Sequence, residues 1–347
     1  MNFADVVGQE RAIATLRAAA AHGRLHHALL FAGPEGIGKR TTALALAAFL
    51  LCKRPTADDS CGECPACIQV TSGTHADLYF LKLEVDEEGK SKKSVSIDQV
   101  RALQGSLARA ALGGGRKVVI VDEAQGLTEP AQNAFLKTLE EPPSGSLIVL
   151  VARNASALTP TVRSRCQTVP FVPLADGDVE RCLRERGRSA EDAKSLAAFA
   201  EGSLGVALDS DAAAIEEAEK RLGAILDSAA SAGYSAAVQA AQDLIRNETV
   251  ADVPLLLRVL RRRLRAAAGV AKAAELTRSG KTVSLTASLK AAEHAYRASM
   301  DIRRNANAAL ALERMWLEIG AALGTLPPYS PNRPGPAELT ASSRLGE

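Results

Sequence analysis

The segment from Gly33 to Arg40 constrains the fold more than any other part of the sequence. It reads Gly-Pro-Glu-Gly-Ile-Gly-Lys-Arg, follows the apolar run at residues 28–31 and precedes a helical pattern at residues 41–51. Strand, glycine-rich turn and helix in this order are typical of a P-loop, whose backbone N–H groups and helix N-terminus bind phosphate. The segment therefore predicts a phosphate-binding loop, the alternative being a glycine-rich turn without a ligand.

Four residues of this segment have defined tasks in a P-loop, and a fifth departs from the pattern. Gly33, Gly36 and Gly38 allow the backbone to close around phosphate oxygens, and Lys39 supplies a positive charge for the terminal phosphates. Arg40 stands where the pattern requires Ser or Thr, whose hydroxyl holds magnesium. The loop is therefore predicted to be able to bind ATP but to be poorly equipped to hydrolyse it.

Charge and composition restrict the class of protein. The 42 basic residues nearly balance the 40 acidic ones, and a net charge of +2 gives no general attraction to nucleic acid or membranes. Hydrophobic residues make up 47% of the chain but aromatic residues only 3%, which favours a helix-rich globular protein. No stretch approaches the roughly 20 apolar residues of a membrane span, and the first residues do not form a secretion signal. We therefore expect a cytoplasmic protein.

Four of the six cysteines follow the P-loop helix at metal-ligand spacing. They are Cys52, Cys61, Cys64 and Cys67, and two-residue gaps separate the last three. Four thiolates can enclose zinc in a tetrahedral site that has no open position for water, so such a site would be structural. The alternative is an iron–sulfur cluster, whose fourth cysteine usually lies further downstream before a proline. The spacing therefore favours zinc.

A second apolar run ends in two acidic residues. Residues 117–121 are consistent with a central parallel strand, and Asp122 and Glu123 follow it directly. This Walker B pattern predicts that Asp122 holds magnesium through water and that Glu123 polarises the attacking water, the alternative being a helix cap. Strands alternate with helices from residue 28 to residue 172. The sequence thus predicts a doubly wound α/β sheet with the P-loop at its carboxyl edge.

Two further segments carry a specific resemblance. Residues 132–143, which read Gln-Asn-Ala-Phe-Leu-Lys-Thr-Leu-Glu-Glu-Pro-Pro, and residues 163–166, which read Arg-Ser-Arg-Cys, resemble the bacterial clamp-loader ATPases of the DNA polymerase III holoenzyme. These proteins belong to the AAA+ class and carry a four-cysteine module in their P-loop domain. The resemblance, with the chain's helical and Pro-Ser-Gly-rich patterns, implies four parts: a P-loop domain with the zinc module (1–173), a helical lid (174–212), a helical collar (213–325) and a disordered tail (326–347).

Three departures from the motor subunits of this family favour a non-motor member. Arg40 replaces the magnesium-binding hydroxyl, Arg153 follows the strand where motors carry a phosphate-sensing threonine, and Gly205 stands where motors carry a sensor arginine. The resemblance then implies a subunit with little or no ATPase activity in a heteropentamer with gamma/tau and delta, which loads a sliding clamp onto primed DNA. The alternatives are an active gamma/tau-like motor and an isolated zinc-dependent nucleic-acid module, which would leave the P-loop unexplained.

Two arginine features remain. Arg165 lies in the Ser-Arg-Cys motif, and the resemblance implies an arginine finger that reaches the nucleotide of a neighbouring subunit, the alternative being a pairing within its own loop. Arginines also crowd one helical stretch near residue 260. Because this stretch contains no interleaved aromatic residues, a solvated or intersubunit surface is favoured over a DNA contact. Its members are Arg258, Arg261, Arg262, Arg263 and Arg265.

Overall fold

A computed structural model describes residues 1–83, 94–109, 111–112, 115–232, 253–269, 285–303 and 308–322 of the 347-residue chain. The chain divides into two compact units, residues 1–210 and residues 211–347. The finer predicted division, with a lid at 174–212 and a collar at 213–325, stays a prediction. The predicted disordered tail, residues 326–347, lies outside the described residues.

The first unit is built around one sheet, and the described residues give it five parallel strands. The strand order is β2-β3-β4-β1-β5, so β1 lies between β4 and β5. Because all strands run in the same direction, their carboxyl ends meet at one edge, where Ala32 pairs with both Ala152 and Pro170. The strands are β1 (Ala28–Ala32), β2 (Leu78–Leu81), β3 (Lys117–Val121), β4 (Ser146–Ala152) and β5 (Gln167–Pro170).

Helices cover both faces of the sheet, because successive side chains of each strand point to opposite sides. Leu29 and Phe31 join one core cluster with helices α1 and α2, whereas Ala28 and Leu30 join another with α4 and α5. The predicted doubly wound parallel sheet is confirmed. The helices of this unit are α1 (Glu10–Ala21), α2 (Lys39–Leu51), α3 (Pro65–Ser72), α4 (Ile97–Leu107), α5 (Glu129–Glu140), α6 (Pro160–Arg163), α7 (Asp176–Glu185), α8 (Ala190–Ala200) and α9 (Leu204–Asp209).

Local sequence signals set several of these helix boundaries. Ser96 accepts the backbone N–H of Gln99, and the Gln99 side chain accepts the N–H of Ser96 in return, which forms a capping box at the start of α4. Thr128 caps α5 by accepting the N–H of Ala131, and Pro130 lies in the first turn. These caps set the residues at which the two helices begin.

The second unit consists, in its described part, of helices only. Helix α11 packs against α10 and α12, while α12 packs against α13. The buried residues of α11 recur every three or four positions, as expected for one face of a helix. None of the described helices is both long and apolar enough to span a membrane. The helices are α10 (Ala212–Ala232), α11 (Val253–Gly269), α12 (Leu285–Arg303) and α13 (Ala308–Ala322).

Candidate functional site

The predicted P-loop connects β1 to α2 at the carboxyl edge of the sheet. Gly36 and Gly38 have φ angles of 73° and 94°, in the left-handed region that glycine adopts without a steric penalty. Gly33 passes so close to the backbone of Phe171 that an added Cβ would lie 2.5 Å from its carbonyl oxygen. The predicted glycines thus occupy positions where the backbone requires them.

Lys39 begins α2 and is buried, and its ammonium points back into the loop. It donates hydrogen bonds to the carbonyl oxygens of Gly33, at 2.7 Å, and of Pro34. Burial lowers the pKa of Lys39 to about 8, although the negative charges of Glu35 and Asp122 act in the opposite direction. The lysine is therefore in place for a phosphate, but in this conformation it is bonded to its own loop.

The two predicted acidic residues lie across from the loop, and arginines pair with them. An Arg40 guanidinium nitrogen lies 3.3 Å from a carboxylate oxygen of Asp122. Arg153, at the end of β4, lies 3.1 Å from Glu35 and 4.0 Å from Glu123. Arg40 and Arg153 thus pair with the two acidic residues of the predicted Walker B pattern, whose roles stay predictions.

The turn before α9 and the first turn of that helix are hydrogen-bonded to the tip of the P-loop. Ser203 donates its hydroxyl hydrogen to the carbonyl oxygen of Glu35 at 2.8 Å, and the N–H of Gly205 donates to the carbonyl oxygen of Gly36 at 2.9 Å. A Cβ on Gly36 would overlap the Ser203 hydroxyl, and a Cβ on Gly205 would lie 2.9 Å from the Gly36 Cα. Gly205, at the predicted sensor position, therefore contacts the P-loop through its backbone. A side chain at this position would meet the backbone of Gly36.

Together these residues line a cavity of about 530 Å³, which we call the P-loop cavity. Gly36, Gly38, Lys39, Asp122 and Glu123 line it, whereas Gly33 lies at the start of the same loop. No local pattern predicted several other lining residues, most of which reach the cavity from distant parts of the chain. These residues are Val6, Gln125, Arg186 and Leu208.

Gln9 connects three parts of this unit through one buried side chain. Its amide nitrogen donates to the carbonyl oxygens of Val172, at 2.6 Å, and of Ile37, at 3.2 Å, while its amide oxygen accepts the Val172 N–H. Gln9 itself has a φ of 63°, which few residues other than glycine adopt. It thus joins the N-terminal segment, the P-loop and the chain that leaves β5.

The four predicted metal ligands come together in a second site, the cysteine cluster (Cys52, Cys61, Cys64 and Cys67). All four sulfur atoms lie within 4.8 Å of one another, and four of the pairs are 3.5–4.0 Å apart. Zinc–sulfur bonds of about 2.3 Å give a tetrahedron whose edges are about 3.8 Å long. Backbone N–H groups also point at two of the sulfurs. The donor set therefore fits a tetrahedral zinc ion.

Arg165 lies outside the P-loop cavity of its own chain. Its guanidinium pairs with Glu140 at 2.5 Å and donates to the carbonyl oxygen of Thr161 at 3.0 Å and to the Ser164 hydroxyl at 3.3 Å. About a third of the side chain is exposed. The arginine is thus held at the surface by its own motif and is not aimed at its own phosphate-binding loop.

The arginine-rich helix α11 makes contacts within the second unit. Arg262 pairs with Glu219, Arg263 donates to the Glu219 carbonyl oxygen, and the guanidinium of Arg261 lies 5.6 Å from the ring centroid of Tyr296. At least these three arginines therefore make contacts within their own unit, and the solvated or intersubunit surface favoured from the sequence stays a prediction.

Comparison with known proteins assigns the class of this domain. Residues 8–175 match a protein-family model described as "DNA polymerase III, delta subunit". This segment is thus similar to a domain of DNA polymerase III subunits. Among curated relatives, the chain is 42% identical over 180 residues to the DNA polymerase III subunit delta' of Pseudomonas aeruginosa and 38% identical over 187 residues to that of Escherichia coli. The predicted resemblance to clamp-loader subunits of DNA polymerase III is confirmed, and these two relatives are delta' subunits.

The extent of these matches is limited. The chain spans about half the length of these relatives, 53% of the first and 54% of the second, and the matches cover 51% and 54% of the chain itself. The Bacillus subtilis subunit tau is 36% identical over 169 residues, which cover 49% of this chain and 29% of tau. Among solved structures, a gamma subunit-related protein from Thermotoga maritima covers 88% of this chain and 97% of its own, with 19% identity and a TM-score of 0.39. With this TM-score and identity, the structural likeness does not establish a function for this chain.

Proposed function

We propose that this chain is a non-motor, delta-prime-like subunit of a clamp loader, which supports ATP-dependent loading of a sliding clamp onto primed DNA. The observation that carries the proposal is the ion pair of Arg40 with Asp122 at the position where magnesium would bind. Without magnesium, no metal neutralises the negative charge of the transferring phosphoryl group. The chain then contributes to hydrolysis through a neighbour's site and not through its own.

Arg165 is the residue that would act on the neighbour. Its surface position and its absence from its own cavity lining are what an arginine supplied in trans requires. The pairing with Glu140 joins partly exposed groups, so exchanging that carboxylate for a phosphate costs about 1 kcal/mol or less. A planar guanidinium can then bond two oxygens of the phosphoryl group, which an ammonium cannot do in the same geometry.

The cysteine cluster would hold one structural zinc ion. Cys52, Cys61, Cys64 and Cys67 supply all four ligands, and the small lobe around them buries few other side chains. A lobe of this size gains its order from the metal. In the proposed assembly this chain would meet gamma/tau and delta subunits in a heteropentamer, with helices α10 to α13 as part of the collar and α7 to α9 as the lid.

A working motor of the gamma/tau type is the second candidate. Lys39, Asp122 and Glu123 all line one cavity, as a hydrolytic site requires. Tau and gamma/tau relatives also match this part of the chain, at 34–36% identity. The two candidates differ in whose nucleotide is hydrolysed.

The experiment that separates them is a reconstituted loader assembled from this chain, motor subunits and delta, with ATP hydrolysis and clamp loading on primed DNA as readouts. Lys39→Ala should leave both rates within about twofold, because this chain's own site is not hydrolytic. Arg165→Ala should lower the hydrolysis rate at the neighbouring site by about 10³ or more, and Arg165→Lys should not restore it.

The matched control is Arg181→Ala, since Arg181 is a surface arginine that also pairs with a carboxylate, that of Asp178. This variant should behave as the unmodified chain. Steady turnover by the isolated chain that Lys39→Ala abolishes would make the protein a motor. Normal clamp loading with Arg165→Ala would show that this arginine serves only its own loop.

A further inference from the structure

The carboxylate of Asp59 gathers donors from separate parts of the chain. One oxygen accepts the backbone N–H groups of Phe3, at 3.0 Å, and of Ser60, at 2.8 Å. The other accepts the N–H of Ala4 and pairs with the Arg17 guanidinium, both at 3.2 Å. Three of these four donors lie 42 to 56 residues away in sequence. Such convergence makes Asp59 a joint between the cysteine loop and the N-terminus.

On one side of this joint lies the N-terminal segment, residues 2–8. Phe3 and Ala4 open a short 3₁₀ turn, whose first N–H groups have no partner within the turn, and Asp59 accepts both. Phe3 is buried, and the Arg17 guanidinium lies 5.2 Å from its ring centroid. Val6 and Val7 follow at once and line the P-loop cavity. The carboxylate therefore holds the start of the segment that forms one wall of the cavity.

On the other side lies the cysteine lobe, residues 52–72. Asp59 precedes the ligand Cys61 by two residues, in a loop that has neither helix nor strand between residues 52 and 64. Within that loop Thr56 and Asp59 bond to each other, but between residues 52 and 64 only Ser60 and Cys64 are buried. So few buried side chains cannot hold the loop by themselves. The position of Asp59 then depends on a metal that draws the four cysteines together.

We propose that Asp59 is a positioning residue that couples metal occupancy of the cysteine cluster to the N-terminal wall of the P-loop cavity. The inference rests on the proposed zinc site. With zinc bound, the loop presents its carboxylate to Phe3 and Ala4. Without zinc, those two N–H groups lose their acceptor, and the segment that carries Val6 and Val7 loses one of its attachments, although Phe3 and Val6 remain packed in the core. The cysteine lobe then acts on the nucleotide side of the domain although none of its cysteines lines the cavity.

Amide hydrogen exchange of the full chain tests this coupling, with peptides that cover residues 1–9 and residues 52–67. In the zinc-bound protein Asp59→Asn should retain one zinc and a protected lobe, because it removes no ligand. Exchange at residues 3–6 should nevertheless rise about 10- to 100-fold, since charge-assisted hydrogen bonds are lost. Asp59→Glu, which keeps the charge, should recover part of the protection. Asp58→Asn, at an exposed neighbour in the same loop, is the control and should change neither segment.

Zinc removal distinguishes this coupling from a purely local role of Asp59, because a local role would leave exchange at residues 3–6 unchanged on chelation. Chelation of the unmodified chain should raise exchange in both peptides, whereas in Asp59→Asn it should raise exchange in the lobe and add nothing at residues 3–6. A chain that binds zinc but keeps residues 3–6 protected after chelation would overturn the coupling alone. A chain that never binds zinc would overturn the metal site and the coupling together.

Discussion

The cysteine cluster and the P-loop cavity are two candidate ligand sites of one unit, and they differ in what a ligand meets on arrival. The four sulfurs face one another at distances that suit a metal. In the cavity, by contrast, Lys39 bonds to loop carbonyls, Arg40 pairs with Asp122, and Arg153 pairs with Glu35. Zinc would add bonds to the cluster, whereas a nucleotide must exchange bonds that already exist. A recognisable sequence motif therefore does not mean that its side chains are available to a ligand.

Breaking each of these ion pairs costs little free energy, but every such cost weakens nucleotide binding. Ion pairs between partly exposed side chains contribute about 0–1 kcal/mol each, and the Arg40 side chain is 56% exposed. In the proposed function the larger effect would be on magnesium, because the Arg40 guanidinium cannot supply an oxygen ligand. The cavity thus keeps the P-loop glycines and Lys39, while its acidic side chains are paired with arginines.

The largest effect should follow from breaking the cluster. Cys64→Ser removes a buried ligand, so bound zinc should fall from about one per chain to near zero, and the cysteine lobe should lose its protection from proteolysis. Elemental analysis measures the metal directly. Cys166→Ser, at a cysteine outside the cluster whose pKa burial raises to about 12, should keep its zinc. Full zinc content in Cys64→Ser, or iron in the unmodified chain, would contradict this assignment.

A smaller effect should follow from pushing the P-loop away from the turn before α9. Gly36→Ala and Gly145→Ala place a methyl group on backbones with the same φ of 73°, but only the first meets a close neighbour, the Ser203 hydroxyl. Gly36→Ala should therefore lower the free energy of unfolding by about 1–3 kcal/mol more than Gly145→Ala does. Urea unfolding followed by circular dichroism measures the difference. Equal costs would mean that the loop and the turn separate freely.

The smallest effect concerns pH. Burial lowers the pKa of Lys39 from 10.5 to about 8, so the ammonium is present below that pH and is lost above it. Nucleotide affinity should stay level up to about pH 8 and then fall by at most about tenfold per pH unit. The lowered pKa also means that the lysine's contribution to folding stability rises between about pH 8 and 10.5, where only the unfolded chain binds the proton.

Titration of a fluorescent ATP analogue between pH 7 and pH 9.5 measures the nucleotide profile. Lys39→Ala should bind more weakly and show a flat profile, because it has no ammonium to lose. A falling profile in both proteins would assign the pH dependence to another group.

The sequence predicted the parts of this unit whose signals are local. The strand, loop and helix around Gly33 to Lys39, the acidic end of β3 and the cysteine spacing each lie within a few residues, where steric and ligand rules apply directly. The partners of those residues could not be predicted. Arg153 meets Glu35 only because β4 lies beside β1 in the sheet, and this order is not written in either segment.

The same reason explains what was missed about Asp59 and the turn before α9. Asp59 was one acid in a polar loop, and its role depends on a contact with residues more than 50 positions away. Ser203 was predicted only as part of a lid, and Gly205 only as the position of a missing sensor arginine. Their hydrogen bonds to the P-loop depend on how the helices after β5 fold back. Long-range contacts follow from the fold as a whole and have no local pattern.

The amide of Gln9 has a mechanical consequence for the first unit. It fixes Ile37 in the P-loop and Val172 after β5 to one rigid planar group, and Leu174, two residues further on, bonds to Gly202 in the turn that holds the loop tip. The connection from β5 to α7, where a hinge would have to bend, is therefore pinned at both ends. We expect the P-loop, the chain after β5 and the turn before α9 to respond to force as one stiff body.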